Sequence, residues 1–449
     1  MEIENSSLMR EVNAIVNSPN KPVHFEWFAE IHVNNMKYFP LKILNIDSLE
    51  DYELNYSDEI MITLAIAGGT YAKRIYPFKD KVEITLIKKP IGEVSTEIDQ
   101  ASGVQAERYA ATVKDTGNPI VEANGANAPT EEALNLTNIF EITFQLVNKA
   151  IEQLRMVSVG GIYRNTNVED VIKTILTVES KKIKVDNVRM PKGVDMIPAS
   201  NTKVRDHVII PHGTKLVDIP EYIHYKCGGV YSAGLGYYFK NDHWFVYPCY
   251  DVTRFNKAPY ILTVINVPRN KLPEVERTYR EDGKNITIIA TGEVKHNDDS
   301  EVQQLNLGNG VRFADADKFM SGYSKTKNNK TVVNRGTNNS EAVSSERSNG
   351  NNNVQISSSP INSNPYVEYS KLARRQGNYL SLVWENSLPS KILPGMMVRV
   401  FYLDGEDIVD VYGVIIKAHH YTQAKGVGMT TTRYITRTAF VVFTQRINN

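Results

Sequence analysis

The stretch VHFEWFAEIHV, residues 23–33, alternates apolar and polar side chains along its length. Its faces are Val23, Phe25, Trp27, Ala29, Ile31 and Val33 on one side, and His24, Glu26, Glu30 and His32 on the other. A period of two is typical of a β-strand that buries one face. Asn34-Asn35 follows and can form a turn, so the chain is expected to return directly as a second strand.

Six strands are predicted in the first third of the chain. They cover residues 23–33, 36–44, 60–67, 82–87, 107–113 and 139–147. So many strands within about 125 residues are typical of a small antiparallel barrel or sandwich. Residues 70–81 could hold a short helix, and residues 114–138, rich in Asn, Ala, Thr, Glu and Pro, are expected to form a long loop.

The pattern becomes mixed after this first β unit. Thr166-Asn167-Val168-Glu169 has the form of a helix capping box. One helix face is then marked by Val168, Val171, Ile172, Ile175 and Leu176. Further strands are predicted at 260–267 and 285–294, so a module of mixed helix and strand follows the first unit.

Residues 324–364 differ from everything before them, because twenty of these forty-one residues are Ser or Asn. Such a segment has too little apolar surface to offset the entropy lost on ordering. We expect a flexible linker or a long surface loop here.

The chain is expected to close with a second β unit. A helix is predicted at 366–376, followed by strands at 380–385, 396–403, 408–421 and 434–447. The fold class is therefore mainly β with some α, with two antiparallel β units flanking a mixed middle module. The predicted divisions are an N-terminal extension 1–21, a first β unit 22–154, a mixed module 155–323, the linker 324–364 and a second β unit 365–449.

Composition excludes several classes of protein. Lys plus Arg equals Asp plus Glu at 51 each, so there is no basic footprint for nucleic acid. The N-terminus lacks the apolar core of a signal peptide, and no run of eighteen apolar residues could span a membrane. Two cysteines in 449 residues suit a reducing compartment. We expect a soluble protein made in a cytoplasm.

The stretch CGGVYSAGLGYYFKNDHWFVYPCYD, residues 227–251, is the densest candidate for chemistry. Its glycines lack the spacing of a phosphate-binding loop. His224, Cys227, His243 and Cys249 could supply four zinc ligands, but they lack zinc-site spacing. Aromatic runs around Asn241-Asp242 instead predict a β-hairpin with two buried thiols and an exposed turn histidine.

Other candidate groups are better explained by solvated turns or strand ends. They are Asp315 with Asp317, Glu406 with Asp407 and Asp410, and the pair His419-His420. Adjacent strand residues point to opposite faces, so the two histidines are not expected to share a metal ion. Without a catalytic or cofactor signature, no enzyme activity, metal or cofactor is expected, although dispersed carboxylates could still form a glycosidase pair.

Residues 392–420, ILPGMMVRVFYLDGEDIVDVYGVIIKAHH, resemble the last barrel of phage tail baseplate hub proteins and of the related type VI secretion spike hubs. The segment GIYRN, 161–165, with the helix start at 168–172, resembles the entry that follows the first barrel in those hubs. The hairpin region 227–251 resembles their middle module. The order of these motifs, with a β module at each end, carries the resemblance.

The resemblance implies a structural protein of a contractile-tail virion, assembled in the host cytoplasm. It implies two tail-tube-like barrels in each chain and a homotrimer whose six barrels meet a six-fold tail tube and whose other end carries a three-fold central spike. Implied partners are other copies of the chain, the tail tube protein, the spike protein and other baseplate proteins. The chain departs from the family in its Ser/Asn-rich segment and in lacking a fused spike or lysozyme domain, so a separate spike is expected.

Two other classes stay open: a cell-wall polysaccharide or peptidoglycan hydrolase, and a monomeric β-sandwich adhesin. For the hub, strand 396–403 offers a candidate assembly interface. Met397, Arg399 and Phe401 fall on one face, while Met396, Val398, Val400 and Tyr402 fall on the other. Apolar groups on both faces suggest that a neighbouring chain covers the outer one; the alternative is a helix of the same chain.

Overall fold

In the computed structural model, part of the chain is described. The described residues are 7–18, 24–91, 104–114, 139–182, 191–272, 276–283, 285–295, 313–315, 324–327, 330–333, 355–357, 364–375, 377–404, 407–425 and 433–445.

Strands dominate these residues. In chain order they are β1 His24–Val33, β2 Met36–Tyr38, β3 Lys42–Asp51, β4 Glu59–Ala67, β5 Val82–Ile91, β6 Gln105–Val113, β7 Ile139–Asn148, β8 Ser158–Thr166, β9 Gly193–Met196, β10 Arg205–Lys215, β11 Leu235–Lys240, β12 His243–Pro248, β13 Ile261–Asn266, β14 Tyr279–Asp282, β15 Asn285–Lys295, β16 Phe313–Asp315, β17 Ser324–Lys327, β18 Lys330–Val333, β19 Gln355–Ser357, β20 Asn378–Trp384, β21 Met397–Asp404, β22 Asp407–Ala424 and β23 Arg433–Gln445.

The helices are fewer. They are α1 Ser7–Val16, α2 Lys149–Met156, α3 Val168–Ser180, α4 Ile219–Lys226 and α5 Pro365–Arg375. Helical turns also run through Gly68–Thr70, Tyr71–Ile75 and Tyr76–Lys81, as the sequence predicts for residues 70–81. Short 3₁₀ turns lie at Leu216–Asp218, Thr253–Lys257, Arg269–Lys271 and Pro389–Lys391.

A fourteen-stranded sheet organises the molecule, and its hydrogen bonding closes on itself twice. Ring A consists of β22, β3, β4, β7, β6, β5, β1 and β23. Ring B consists of β13, β21, β22, β23, β20 and β15. The strands β22 and β23 belong to both rings, so the rings are joined by a shared hairpin.

The length of β22 allows this sharing. Its first half pairs with β21, for example Val414 with Met397, and its second half pairs with β3, beginning at Lys417 with Asp51. A register shift between Ile415 and Lys417 marks the change of partner. Such a bulge bends a strand and increases its twist, so β22 can pass from one ring into the other.

Both rings are filled by side chains. Ring A encloses an apolar cluster that includes Ile31, Ile62, Ile84 and Phe144. Ring B encloses a larger cluster with Val264, Ile288, Leu382, Val400 and Phe440, onto which hairpin β11–β12 packs through Tyr238 and Tyr247. A third cluster joins α2, α3, α4 and strands β8 to β12. The rings are therefore packed cores.

The mainly β fold class is confirmed, and so are the strands predicted from local pattern. The second predicted strand, 36–44, divides at Pro40 into β2 and the start of β3. Both Asn-rich turns form, with left-handed φ values of 48° and 63° at Asn34 and Asn35 and of 52° and 63° at Asn241 and Asp242.

Two features of the predicted organisation look different in three dimensions. Pairing crosses the predicted divisions, because β13 and β15 of the middle module lie in ring B and β22 and β23 complete ring A. The division boundaries themselves stay a prediction.

The capping box is corrected by one residue: Asn167 caps α3 by accepting a hydrogen bond from the Asp170 N–H at 2.8 Å, whereas Glu169 accepts one from Ala199 N–H.

The Ser/Asn-rich segment 324–364 lies largely outside the described residues. Within it, β17 pairs with β18, and β19 pairs with β16. Its role as a linker stays a prediction, as does the loop at 115–138, which falls outside the described residues.

The turn Leu393-Pro394-Gly395 yields a test of packing at the entry to β21. Gly395 has φ of +64°, and a Cβ there would lie 2.3 Å from the Tyr247 ring. That ring is fixed because its hydroxyl donates to the Tyr52 carbonyl at 2.9 Å. Gly395→Ala should lower the free energy of unfolding by about 2 to 4 kcal/mol, from strain plus overpacking.

Gly213→Ala is the matched control, since Gly213 has φ of +90° and open space around its Cβ position. It should cost about 1 kcal/mol, from backbone strain alone. Urea unfolding of both variants measures the difference; equal losses would contradict the close packing of Tyr247 on Gly395.

Candidate functional site

The interior of ring A changes from apolar to polar at the end that meets hairpin β11–β12. We call this end the polar chamber; its volume is about 180 Å³. Its polar lining consists of Ser48, Glu50, Asp58, Lys88, Gln105, Glu107, Asn148, Lys240, Asn241, Asp242, Ser390, His420 and Thr422.

Strand alternation places these polar groups inside the ring. In β5, Lys88 continues the inward series of Val82, Ile84 and Leu86. In β6, Glu107 precedes the buried Tyr109 on the same face. Successive inward side chains therefore turn from apolar to charged as each strand approaches the hairpin.

Glu50 at the end of β3 is the centre of the chamber. Its side chain is 7% exposed, and Lys240 Nζ, at the tip of the hairpin, donates to its Oε2 at 2.6 Å. The Tyr52 hydroxyl donates to the same oxygen, and His420 Nε2 lies 3.3 Å from it. Burial raises the pKa of Glu50, but the charges of Lys240 and His420 outweigh burial and hold it at about 2, so Glu50 stays ionised.

A chain of hydrogen bonds continues from Glu50 into the shared hairpin. His420 Nδ1 in β22 lies 2.8 Å from Thr438 Oγ1 in β23, and Thr438 Oγ1 lies 2.6 Å from Ser387 Oγ. Burial lowers the pKa of His420 in spite of Glu50. The polar contacts thus join ring A, ring B and the middle module at one point.

The remaining charged groups of the chamber are less fully compensated. Burial, together with the charges of Glu50 and Glu107, raises the pKa of Asp58 to about 7. Burial lowers the pKa of Lys88 to about 8, and its Nζ lies 3.9 Å from the centre of the Phe25 ring. Glu107 accepts a hydrogen bond from the Tyr109 hydroxyl at 2.5 Å.

This arrangement has one property of a catalytic acid pair and lacks others. An acid with a raised pKa near an ionised carboxylate is the pattern of general acid and base groups. However, Glu50 is already engaged by three side chains, and the chamber is smaller than the roughly 300 Å³ at which small-molecule sites begin. The geometry fits an ion-paired joint between modules better than a catalytic pair.

The three residues of the candidate interface lie in three different environments. Met397 is 1% exposed and lies in the same apolar cluster as Phe245 and Tyr247 of hairpin β11–β12, on the opposite face of β21 from Val398 and Val400. The expectation that Met397 lies on an uncovered outer face is corrected. Phe401 is partly buried against the cluster that contains α1, as the alternative of a covering helix anticipates.

Arg399 is the member of this face that reaches solvent. Its guanidinium donates to both carboxylate oxygens of Asp410, from Nε to Oδ1 at 3.0 Å and from Nη2 to Oδ2 at 2.6 Å. It also lies 4.5 Å from the centre of the Phe401 ring and 5.7 Å from that of Tyr412. The use of this face in assembly stays a prediction.

The histidines and cysteines of the middle module are held by other groups. His224 is buried on α4, accepts a hydrogen bond from the Val230 N–H at 3.1 Å, and has its pKa lowered to about 4 by burial. Cys227 lies close to the Ile209 carbonyl and Cys249 close to that of Tyr52. His243 lies beside the turn of the predicted hairpin, which is confirmed. Among the described residues, no cluster of three or more His, Cys, Asp and Glu side chains could hold a metal ion.

The adjacent histidines of β22 point to opposite faces, as predicted: His420 enters the chamber, and His419 Nε2 lies outside, 2.6 Å from Asp47 Oδ1. Asp410 pairs with Arg399, whereas Glu406 and Asp317 fall outside the described residues. Sequence reasoning missed Glu50 and Lys240, because a lysine beside an Asn-Asp turn is typical of a solvated hairpin tip.

Comparisons with known proteins give structural likenesses only. No family model matches the chain, and no curated protein does. A tail protein from Neisseria meningitidis MC58 aligns over 93% of this chain and 96% of its own, at 11% identity and a TM-score of 0.45. The 43 kDa tail protein of prophage MuSo2 from Shewanella oneidensis covers 92% and 96%, at 9% identity and a TM-score of 0.44.

A third similar structure is the E. coli c3393 protein, a component of the type VI secretion system. It covers 91% of this chain and 76% of its own, at 9% identity and a TM-score of 0.40. All three are tail proteins or a type VI secretion component, the class that the sequence motifs resemble. At these identities and scores, the likeness carries no conclusion about what this chain does.

No helix in the described part of the chain has the length and apolarity needed to cross a lipid bilayer.

The Glu50 joint predicts a large effect of a small substitution. Glu50→Gln leaves the Lys240 ammonium, 11% exposed, without its counter-charge. The free energy of unfolding should fall by about 3 to 5 kcal/mol. Lys182→Ala breaks the exposed Lys182–Glu179 pair, also 2.6 Å, and should cost less than about 1 kcal/mol. Urea unfolding measures both variants. If Glu50→Gln lowers the free energy of unfolding no more than Lys182→Ala does, the joint is not a stabilising contact.

Asp58 predicts a pH dependence. Its folded pKa of about 7 lies above the usual aspartate pKa of 3.8, so the folded state binds the proton more tightly than the unfolded state. Asp58 therefore costs stability progressively as pH rises from about 4 to about 7. Asp58→Asn should raise the melting temperature most at pH 8 and progressively less toward pH 4. Thermal unfolding across this range is the measurement, and a gain that grows toward low pH would contradict the assignment.

Proposed function

We propose that this chain is a structural, non-enzymatic hub of a phage-type tail. It forms a homotrimer in the virion baseplate and joins a six-fold tail tube to a three-fold central spike. Its partners are other copies of itself, the tail tube protein, the spike protein and other baseplate proteins, and it is assembled in the host cytoplasm.

The observation that carries this proposal is the pair of strand rings in one chain. Rings A and B share β22 and β23 and are both closed by hydrogen bonds. In the proposal each ring is a tail-tube-like β-barrel, so three chains present six barrels to the six-fold tail tube. A closed assembly of this kind needs only one repeated interface.

The filled interiors of the rings determine where a tube lumen would lie. Apolar clusters occupy both rings, so neither ring has room to conduct anything through its own centre. In the trimer, the lumen is the space enclosed by six packed rings, and the outer surfaces of their strands line it.

The joint at Glu50 suits a hub of fixed geometry. A rigid hub must hold its rings and its middle module at fixed angles, because those angles determine how each interface with a neighbouring subunit fits. The buried Lys240–Glu50 pair and the His420–Thr438–Ser387 contacts tie those parts together. Buried ionic contacts with satisfied partners favour one geometry over near alternatives.

The candidate interface on β21 is centred on Arg399. Its guanidinium is paired with Asp410 and lies near the rings of Phe401 and Tyr412. Arginine held above aromatic rings is typical of residues that dominate binding at protein interfaces.

The test is a mass measurement of the purified chain, together with negative-stain images. A hub gives particles of about three times 50.6 kDa, with six densities around the threefold axis. Arg399→Glu should lower the trimer fraction at least tenfold while the monomer stays folded. Lys182→Ala, in the exposed turn after α3, is the control and should leave the trimer fraction unchanged.

The two rival functions give different results in the same preparation. A monomer of 50.6 kDa with no self-association favours the adhesin. Release of fragments from peptidoglycan or polysaccharide favours the hydrolase, and loss of that release in Asp58→Asn would place its acid in the polar chamber.

A further inference from the structure

A crevice of about 460 Å³ lies between the middle module and ring B, apart from the polar chamber. Strands β9 and β12 bound it on one side, and the turn before β21 bounds it on the other. Its volume falls within the range of roughly 300 to 1,000 Å³ that small-molecule sites have, and such sites occur preferentially between domains. The crevice therefore has the room for a ligand that the chamber lacks.

Most of the crevice wall is apolar. Its apolar side chains include Met196, Ile197, Phe245, Leu393 and Met396. Methionine side chains are flexible and polarisable, so they adapt to apolar groups of irregular shape. A wall of this kind favours a ligand with an aliphatic or aromatic body, because a polar body would lose its hydration without gaining hydrogen bonds.

Arg254 places a positive charge in this apolar wall. It is partly buried in the 3₁₀ turn Thr253–Lys257. Its Nε donates to the Asp251 carbonyl at 3.3 Å, and its Nη2 donates to the Gly395 carbonyl at 2.6 Å. Within the described part of the chain, no Asp or Glu side chain forms an ion pair with Arg254. The two carbonyls use only part of the N–H fork of the guanidinium, which keeps further donors for an acceptor in the crevice.

The charge of Arg254 is incompletely compensated. Burial lowers the pKa of Arg254 more than the nearby charge of Asp251 raises it. Lys173, also in the wall, is already paired, because its Nζ lies 2.6 Å from Glu169 Oε1. Asp195 is exposed on β9, where water screens its charge. An anionic group beside Arg254 would thus gain charge-assisted hydrogen bonds that the described residues do not supply.

We propose that this crevice binds an apolar monocarboxylate, that is, a single carboxylate attached to an aliphatic or aromatic body. Arg254 receives the carboxylate, because its planar N–H fork matches two carboxylate oxygens. The body of the ligand lies against Phe245 and the methionines. A phosphate or a dicarboxylate fits less well, since a second charge would be buried without a partner. The site is formed within one chain, so the inference is independent of the proposed hub.

Calorimetric titration of the full chain with octanoate tests the site. Octanamide is the matched ligand, because it has nearly the same shape without the charge. Octanoate should bind with a Kd of about 1 mM or below, and octanamide should bind at least about tenfold more weakly. Equal affinities would contradict recognition of the carboxylate, and a lack of octanoate binding up to about 10 mM would exclude the site.

Two substitutions on the same turn separate the crevice from general surface charge. Arg254→Gln removes the charge from the crevice wall, whereas Lys257→Gln removes a charge from an exposed residue outside that wall. The affinity for octanoate should fall to that for octanamide in Arg254→Gln and stay unchanged in Lys257→Gln. Equal losses in the two variants would overturn the proposal.

A third variant tests the location of the ligand without changing Arg254. Ala258 lines the crevice and has an extended backbone, with φ of −71° and ψ of 132°, which accepts any side chain. Ala258→Trp fills the crevice, so it should abolish binding of both ligands, and thermal unfolding confirms that the chain is folded. If both ligands bind to folded Ala258→Trp as before, they bind elsewhere and the proposal is wrong. If a variant does not fold, the comparison of the two ligands on the unsubstituted chain decides.

Discussion

The hairpin of β22 and β23 is the constraint on which the rest of the structure depends. Each strand is long enough to serve two rings, and their mutual pairing runs from Tyr412 with Gln445 to Ala424 with Tyr434. Neither ring can close without it, and neither can rotate far against the other while it holds. The bulge near Ile416 is where one strand changes rings, so the angle between the rings is set by backbone hydrogen bonding.

The polar chamber reinforces this joint from the side. Hairpin β11–β12 reaches the end of ring A and delivers Lys240 to Glu50, which His420 also approaches from β22. Burying two charges gains little net stability, because desolvation offsets their attraction. What the pair supplies is specificity: a hairpin displaced from this position takes the Lys240 ammonium away from Glu50, its counter-charge.

The local pattern of the sequence predicts most of the strands and helices, but little of how the strands close into two rings. Alternation in residues 24–33 and the Asn-Asp turn at 241–242 are properties of neighbouring residues, and both appear as expected. The inward placement of Lys88 and Glu107 could also have been read from strand parity. The Glu50–Lys240 contact could not, since it joins residues 190 apart. Nor could the burial of Met397, because the cluster that contains it includes side chains of hairpin β11–β12, far from it in the sequence.

The sharing of β22 also determines what happens while the chain is being synthesised. Asp47 in β3 and its partner His419 in β22 are 372 residues apart. At the usual speed of a ribosome, about 20 to 75 seconds pass between them, and during that time the β3 edge has no partner. Open edges recruit other chains unless charges discourage pairing, and β3 carries Asp47, Glu50 and Asp51. Those carboxylates later meet His419, His420 and Lys417, so the residues that hold the finished ring are also charges of the kind that discourage pairing along an open edge.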